Sequence, residues 1–222
     1  MGAKMTEQST ATYLHLRAKT SETDPTPYFS KSEKINGNWE TTQKFPAVDG
    51  HLCSIEHGEF EWEGQKKHKC KMKLADPDGS VTYVESNYNN LLYSILNSLA
   101  SCNPELIDIS VYLGKAKVDN GREGKRYPSA GVLNNGERIG WKYPYDQIPQ
   151  PQIETYKGKK VTDDSNVIEF WTNVISEIAG KLKSPLVVPA KKSDKQPVTG
   201  QGSLPGVEGL DNEPTDDSGL PF

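Results

Sequence analysis

His51-Leu52-Cys53-Ser54-Ile55-Glu56-His57-Gly58-Glu59-Phe60-Glu61-Trp62, followed by Glu63-Gly64-Gln65 and then Lys66-Lys67-His68-Lys69-Cys70-Lys71-Met72-Lys73-Leu74, is the stretch that decides the fold. Side chains on a strand point alternately to the two faces. Leu52, Ser54 and Glu56 here oppose Cys53, Ile55 and His57, with Phe60 and Trp62 beyond them. A turn near Glu63-Gly64-Gln65 sends the chain back as a second strand. If Trp62 pairs near Lys66, His68 faces about Phe60 and Cys70 faces about Gly58. The return strand puts Lys67, Lys69, Lys71 and Lys73 on one face, an arrangement costly to bury and natural opposite phosphates.

The flanks extend the same pattern. Residues 12–19 alternate, with Leu14, Leu16 and Ala18 on one side and Tyr13, His15, Arg17 and Lys19 on the other. Asp24-Pro25-Thr26-Pro27 interrupts, Tyr28 and Phe29 begin a second extended piece, and Asn36-Gly37 is a hairpin turn. Asp76-Pro77-Asp78-Gly79 is a turn before a strand at Val81–Val84. The period then becomes helical over 88–101, where Leu91, Leu92, Ile95, Leu96 and Leu99 form one apolar face, ended by Asn103-Pro104. Ile107, Ile109, Val111 and Leu113 alternate as a strand. A Gly- and charge-rich loop covers 114–126, and a hairpin of Tyr127–Leu133 with Glu137–Tyr143 turns at Asn134-Asn135-Gly136.

Short strands with a single helix among them predict a mainly β domain over 11–145, an OB-like five-stranded Greek-key barrel with one internal helix. Residues 1–10 are expected to be a flexible arm. Residues 146–183 are a linker, stiffened by Pro144, Pro149 and Pro151, and a packing helix at about 164–182. That helix turns Val167, Ile168, Trp171, Val174, Ile175, Ile178 and Leu182 toward the barrel or toward another subunit, so a homo-oligomer is one expectation. From 184 to 222 prolines and glycines are frequent and large apolar groups sparse, which predicts a disordered tail.

The formal net charge is -4, from 26 Lys and Arg against 30 Asp and Glu. Residues 204–222 hold Glu208, Asp211, Glu213, Asp216 and Asp217 and no basic residue, so the tail carries -5 and the remainder about +1. Such asymmetry separates a partner-binding tail from a near-neutral body. The apolar fraction of 34% still suffices for a core because apolar residues cluster before about residue 183. No run of 18 apolar residues predicts a membrane span, and the polar residues 1–12 do not read as a signal peptide, so no membrane partner is expected. Met1-Gly2-Ala3-Lys4-Met5-Thr6 fits the loose myristoylation consensus, but no second membrane signal follows it. Cys53, Cys70 and Cys102, an odd set without a CxxC, point to a reducing compartment and to small buried side chains.

A sequence-neutral single-strand site combines cations for phosphates with flat rings for bases. Candidates by proximity in sequence are Trp62 with Lys66, Lys67, Lys69, Lys71 and Lys73; Tyr127 with Arg122, Lys125 and Arg126; and Trp141, Lys142 and Tyr143 with Arg138. Aromatic strand residues can equally be core, and alternating lysines a solvated face. His51, Cys53, His57, His68 and Cys70 fit no standard zinc spacing, so no metal and no other cofactor are expected. No P-loop, GxSxG, HExxH or GxGxxG occurs, so no enzyme is expected.

The tail ends Asp216-Asp217-Ser218-Gly219-Leu220-Pro221-Phe222. A terminal Phe beside its own carboxylate and two aspartates can fill an apolar pocket rimmed by Arg and Lys, which solubility alone would not require. This layout resembles the bacterial and phage single-stranded DNA-binding proteins, whose acidic, apolar-Pro-Phe tip follows a flexible linker and an OB fold. Asp216, Asp217, Leu220, Pro221 and Phe222 match at residue level, Ser218-Gly219 interrupts the acidic run, and Leu220 stands where Ile is common. The body looks more like the phage-encoded members, including Trp141-Lys142-Tyr143 after a hairpin. The resemblance implies single-stranded DNA binding in replication, recombination and repair, in the bacterial host cytoplasm, with replication and recombination proteins recruited by the tip. Two rival expectations are an adaptor without DNA affinity and a strand-annealing recombination protein. The acidic tail is also expected to compete with DNA for the protein's own positive groove.

Overall fold

The computed structural model describes residues 11–18, 25–115, 126–156 and 159–182. Eleven strands and two α-helices run in the order β1 (Ala11–Arg17), β2 (Tyr28–Ile35), β3 (Asn38–Phe45), β4 (Ala47–Trp62), β5 (Gln65–Ala75), β6 (Val81–Asn87), α1 (Asn90–Ala100), β7 (Leu106–Lys115), β8 (Arg126–Asn134), β9 (Glu137–Arg138), β10 (Gln152–Tyr156), β11 (Lys159–Asp163) and α2 (Ser165–Lys181). The fold is mainly β. Nine strands form one sheet in the order β3-β2-β1-β6-β5-β4-β7-β8-β9, antiparallel except for the parallel β1–β6 pair, and β10 and β11 form a separate hairpin.

The expected OB-like five-stranded Greek-key barrel is replaced by this open nine-stranded sheet. The end strands explain why no ladder joins them: β3 is exposed along nearly all its length, and β9 has only two residues. The sheet nevertheless curls. β3 ends at Phe45 and β4 begins at Ala47, with only Pro46 between, yet four strands separate them in sheet order. Neighbouring strands lie about 4.8 Å apart, so a flat sheet would hold β3 and β4 roughly 24 Å apart. The path β3-β2-β1-β6-β5-β4 therefore bends back until its two ends meet at a covalent corner.

β4 carries two devices that fix the site. Gly50 has φ +142°, and a Cβ there would meet the Leu74 side chain at 3.2 Å and the Ala75 carbonyl at 3.3 Å. Around it β4 changes partner from β7 to β5. A bulge between Leu52 and Ser54 then resets the alternation, so that Leu52 and Ile55 are both buried. The strict alternation expected through Cys53 therefore does not hold.

The turn at the hairpin tip also differs from expectation. Glu63 (φ 51°) and Gly64 (φ 70°) both occupy the left-handed region, giving a two-residue turn that pairs Trp62 with Gln65. His68 consequently faces Glu59, and Cys70 faces His57.

One apolar core holds Leu14, Leu16, Phe29, Ile55, Met72 and Val84 from the strands together with the buried faces of both helices. Asn89 caps α1, its Oδ1 accepting from the Leu92 N–H at 3.0 Å, and Leu91, Leu92, Ile95, Leu96 and Leu99 are buried as expected. In α2, Val167, Trp171, Val174, Ile175 and Ile178 are buried, and Ile168 and Leu182 partly so. The helix packs on α1 and β4 of its own chain. Cys70 is fully buried, and desolvation pushes its thiol far up. No helix among the described residues is long and apolar enough to cross a membrane.

The arm 1–10, most of the loop within 114–126 and the tail 184–222 lie outside the described residues.

Candidate nucleic-acid interface

Burial along β5 alternates from Lys69 onward: Cys70, Met72 and Leu74 are buried, Lys69, Lys71 and Lys73 stand between them on the opposite face, and Lys67, of the same parity, is exposed nearer the turn. The ladder assigns their neighbours. Phe60 is opposite Lys67, Gly58 opposite Lys69, Glu56 opposite Lys71 and Ser54 opposite Lys73. On the other flank Asn87, Glu85 and Tyr83 stand opposite Lys69, Lys71 and Lys73. β1 then adds Tyr13 beside Tyr83 and His15 beside Glu85, and Arg17 pairs with Tyr28 of β2. Arg17 and the four lysines thus share this face with two carboxylates, Glu56 and Glu85.

Rings and cations interleave across this face. Tyr13 and Tyr83 stack at 4.9 Å between centroids, 15° from parallel. The Lys71 ammonium lies 4.6 Å from the Tyr83 centroid and 5.8 Å from that of Tyr13. Lys69 Nζ lies 6.0 Å from the Phe60 centroid and 3.3 Å from Glu85 Oε2. Lys44 sits over Tyr28 at 4.5 Å. Trp62 is 61% exposed and Tyr13 52%. Between the hairpin tip and the ends of β1 and β6 is a groove of about 770 Å³ lined by Arg17, Phe60, Trp62, Lys67, Lys69 and Asn87, among others. Arg17 is aimed by its Nε–H donating to the buried Ser30 Oγ at 3.2 Å, and Ser30 in turn donates to the His15 carbonyl. Burial, with Arg17 nearby, lowers the pKa of His15.

The structure therefore brings together Trp62, Lys67, Lys69, Lys71 and Lys73. Lys66 has the opposite parity: its ammonium binds Glu59 Oε2 at 2.7 Å on the other face. Tyr127 and Arg126 lie on β8 and Arg138 on β9, beyond β4 and β7 from the lysine strand. The Tyr127 ring packs over Gly114, where a Cβ would come within 2.8 Å of it. Arg122 and Lys125 are outside the described residues, as are Asp216, Asp217, Leu220, Pro221 and Phe222.

Trp141, Lys142 and Tyr143 do not continue a hairpin strand, because α1 captures the chain as it leaves β9. Ser98 Oγ donates to the Ile139 carbonyl and Ser101 Oγ to that of Gly140. The buried Asn97 amide donates to the Tyr143 carbonyl and accepts from its N–H, both at 2.8 Å. Lys142 then binds Glu177 at 2.6 Å and the Tyr143 hydroxyl donates to the same carboxylate at 2.9 Å. Hydrogen bonds from Lys142 and then Lys181 hold the Glu177 carboxyl down at about 2. Lys142 and Tyr143 thus tie α2 to α1, away from the lysine face.

Tyr13, Tyr83, Phe60 and Arg17 complete the surface but were not among the expected contacts. For Tyr13 and Arg17 the signal was present, since both alternate away from Leu14 and Leu16. For Tyr83 it was not, because nothing local tells which strand lies beside β1. The chain matches no family model, no curated protein and no solved structure.

Proposed function

We propose that the protein is a non-enzymatic, sequence-neutral single-stranded DNA-binding protein, with the outer face of β1, β6, β5 and the β4 hairpin arm as its DNA-binding surface. The observation that carries this reading is the interleaving on one face of Lys67, Lys69, Lys71 and Lys73 with Tyr13, Tyr83, Phe60 and the exposed Trp62. Lysines alone would suit any polyanion. Exposed rings beside them need bases that are free to stack, which a duplex does not offer. The curl of the sheet and the single helix after β6 support an OB-type scaffold for the strand, although the ladder is not closed.

The acidic tail is read as the arm that recruits replication, recombination and repair proteins in a bacterial host cell, on its likeness to the single-stranded DNA-binding proteins. Fluorescence anisotropy of a labelled oligo-dT, titrated with the protein at low and moderate salt beside a duplex control, tests the reading. Tight, salt-weakened binding that favours the single strand is expected. Absence of binding at both salts overturns it in favour of an adaptor, and acceleration of complementary-strand pairing moves it toward an annealing protein.

A further inference from the structure

The two-residue turn that shifts the hairpin register has a second effect, on the face opposite the lysines. It places His57, Glu59 and His68 side by side, where spacing along the chain had suggested no such group. We infer that His57 Nε2, Glu59 Oε1 and His68 Nδ1 form a binding site for one divalent ion of the zinc class.

The geometry fits. His57 Nε2 lies 3.7 Å from Glu59 Oε1, His68 Nδ1 lies 3.6 Å from the same oxygen, and all three ligand atoms are within 4.8 Å of one another. Bonds of about 2.0–2.1 Å in a tetrahedral site separate ligands by roughly 3.3–3.5 Å, so small side-chain shifts would suffice. The ligands sit on paired antiparallel strands, and side-chain rotation alone can close the site.

The surroundings support it independently. His68 Nδ1 is buried and without a hydrogen-bond partner, an expensive state for a ring nitrogen that a metal bond would relieve. His57 has its other nitrogen, Nδ1, 2.8 Å from the Tyr88 hydroxyl, which lies 3.1 Å from Thr172 Oγ1 of α2. A ligating imidazole is usually oriented by such a bond on its far nitrogen, and with Nδ1 donating to Tyr88 the Nε2 lone pair would face the site. Lys66 occupies Glu59 Oε2 and leaves Oε1 for the ion, and its exposed ammonium can move off into water. Two imidazoles and one carboxylate favour zinc-class ions over magnesium or calcium, which prefer oxygen. Cys70, opposite His57 in the ladder, is not one of the three residues whose ligand atoms converge within 4.8 Å. Three protein ligands leave a fourth position open. The bound ion would clamp β4 to β5 and, through Tyr88 and Thr172, tie the hairpin to α2.

The test uses the full chain stripped with a chelator. Zn²⁺ is titrated in competition with a chromophoric chelator, and Co²⁺ is followed by its visible absorption, which reports four-coordination. One equivalent is expected for the unaltered protein and for His51→Gln, whose ring lies outside the group. His68→Gln and Glu59→Gln should lose stoichiometric binding, and Tyr88→Phe should weaken it about 10-fold or more. The inference is overturned if the unaltered protein takes up less than stoichiometric metal, or if His68→Gln binds as tightly as the parent. The parent titration and Tyr88→Phe decide the matter even if a ligand variant folds poorly.

Discussion

Replacing Lys67 and Lys73 together by glutamine should lower the salt dependence of single-strand binding by a calculable amount. Both project from the outer face of β5, and neither holds Glu85 nor covers the Tyr13–Tyr83 stack, as Lys69 and Lys71 do. Each phosphate contact to a single strand contributes about 0.7 to the slope of log K against log salt. If Arg17 and the four lysines each meet one phosphate, the slope is about -3.5, a loss of about 130-fold between roughly 50 and 200 mM salt. The double variant should show a slope of about -2.1 and a loss of only about 18-fold over the same range. Anisotropy of labelled oligo-dT at four or five salt concentrations measures both slopes. Lys142→Gln is the control: its ammonium belongs to the Glu177 cluster at α2, so the slope should not move. An unchanged slope in the double variant, or an equal drop in Lys142→Gln, refutes the placement of the phosphate track.

Trp62→Ala should weaken oligo-dT binding by about 1–3 kcal/mol without lowering the melting temperature, since its ring stacks on nothing in the protein core; a lowered melting temperature with unaltered affinity would make the ring structural. Leu96→Ala empties a fully buried position on α1 and should cost about 2–5 kcal/mol in denaturant titration. Glu177 is held ionised to about pH 2 in the folded chain against an ordinary value of 4.5, so its stabilisation is complete above about pH 4.5 and lost as pH falls toward 2. Glu177→Gln should flatten the stability–pH curve in that acid window and cost about 1 kcal/mol or less at neutral pH, as the side chain is partly exposed. Removing residues 204–222 should tighten DNA binding, most at low salt, whereas equal affinity at every salt would dismiss competition by the tail.

The legible parts were those set by local pattern. Leucines at helical spacing fixed α1, and period two fixed the lysine face of β5, because both depend only on neighbours in the chain. What stayed hidden depended on distant pairing or on one residue of register. The parallel β1–β6 ladder joins Tyr13 to Tyr83 across most of the domain, and no local signal selects that partner. The Cys53 bulge inverted the reading of β4, and a turn shorter by one residue moved His68 from Phe60 to Glu59. Trp141-Lys142-Tyr143 looked like a basic-aromatic strand because its captors, Asn97 and Glu177, lie 46 and 34 residues from Tyr143.

The parallel seam between β1 and β6 also sets a timetable. During synthesis β1 leaves the ribosome first, and β2 can cover one of its edges almost at once. Its other edge must wait for Val81–Asn87, several seconds later at about 5–20 residues per second. Through that interval Tyr13, Leu14 and their neighbours present an unpaired strand edge in the cell, the kind of edge that invites pairing with another chain. The strand that helps build the finished surface is thus the one most in need of shelter while the protein is being made.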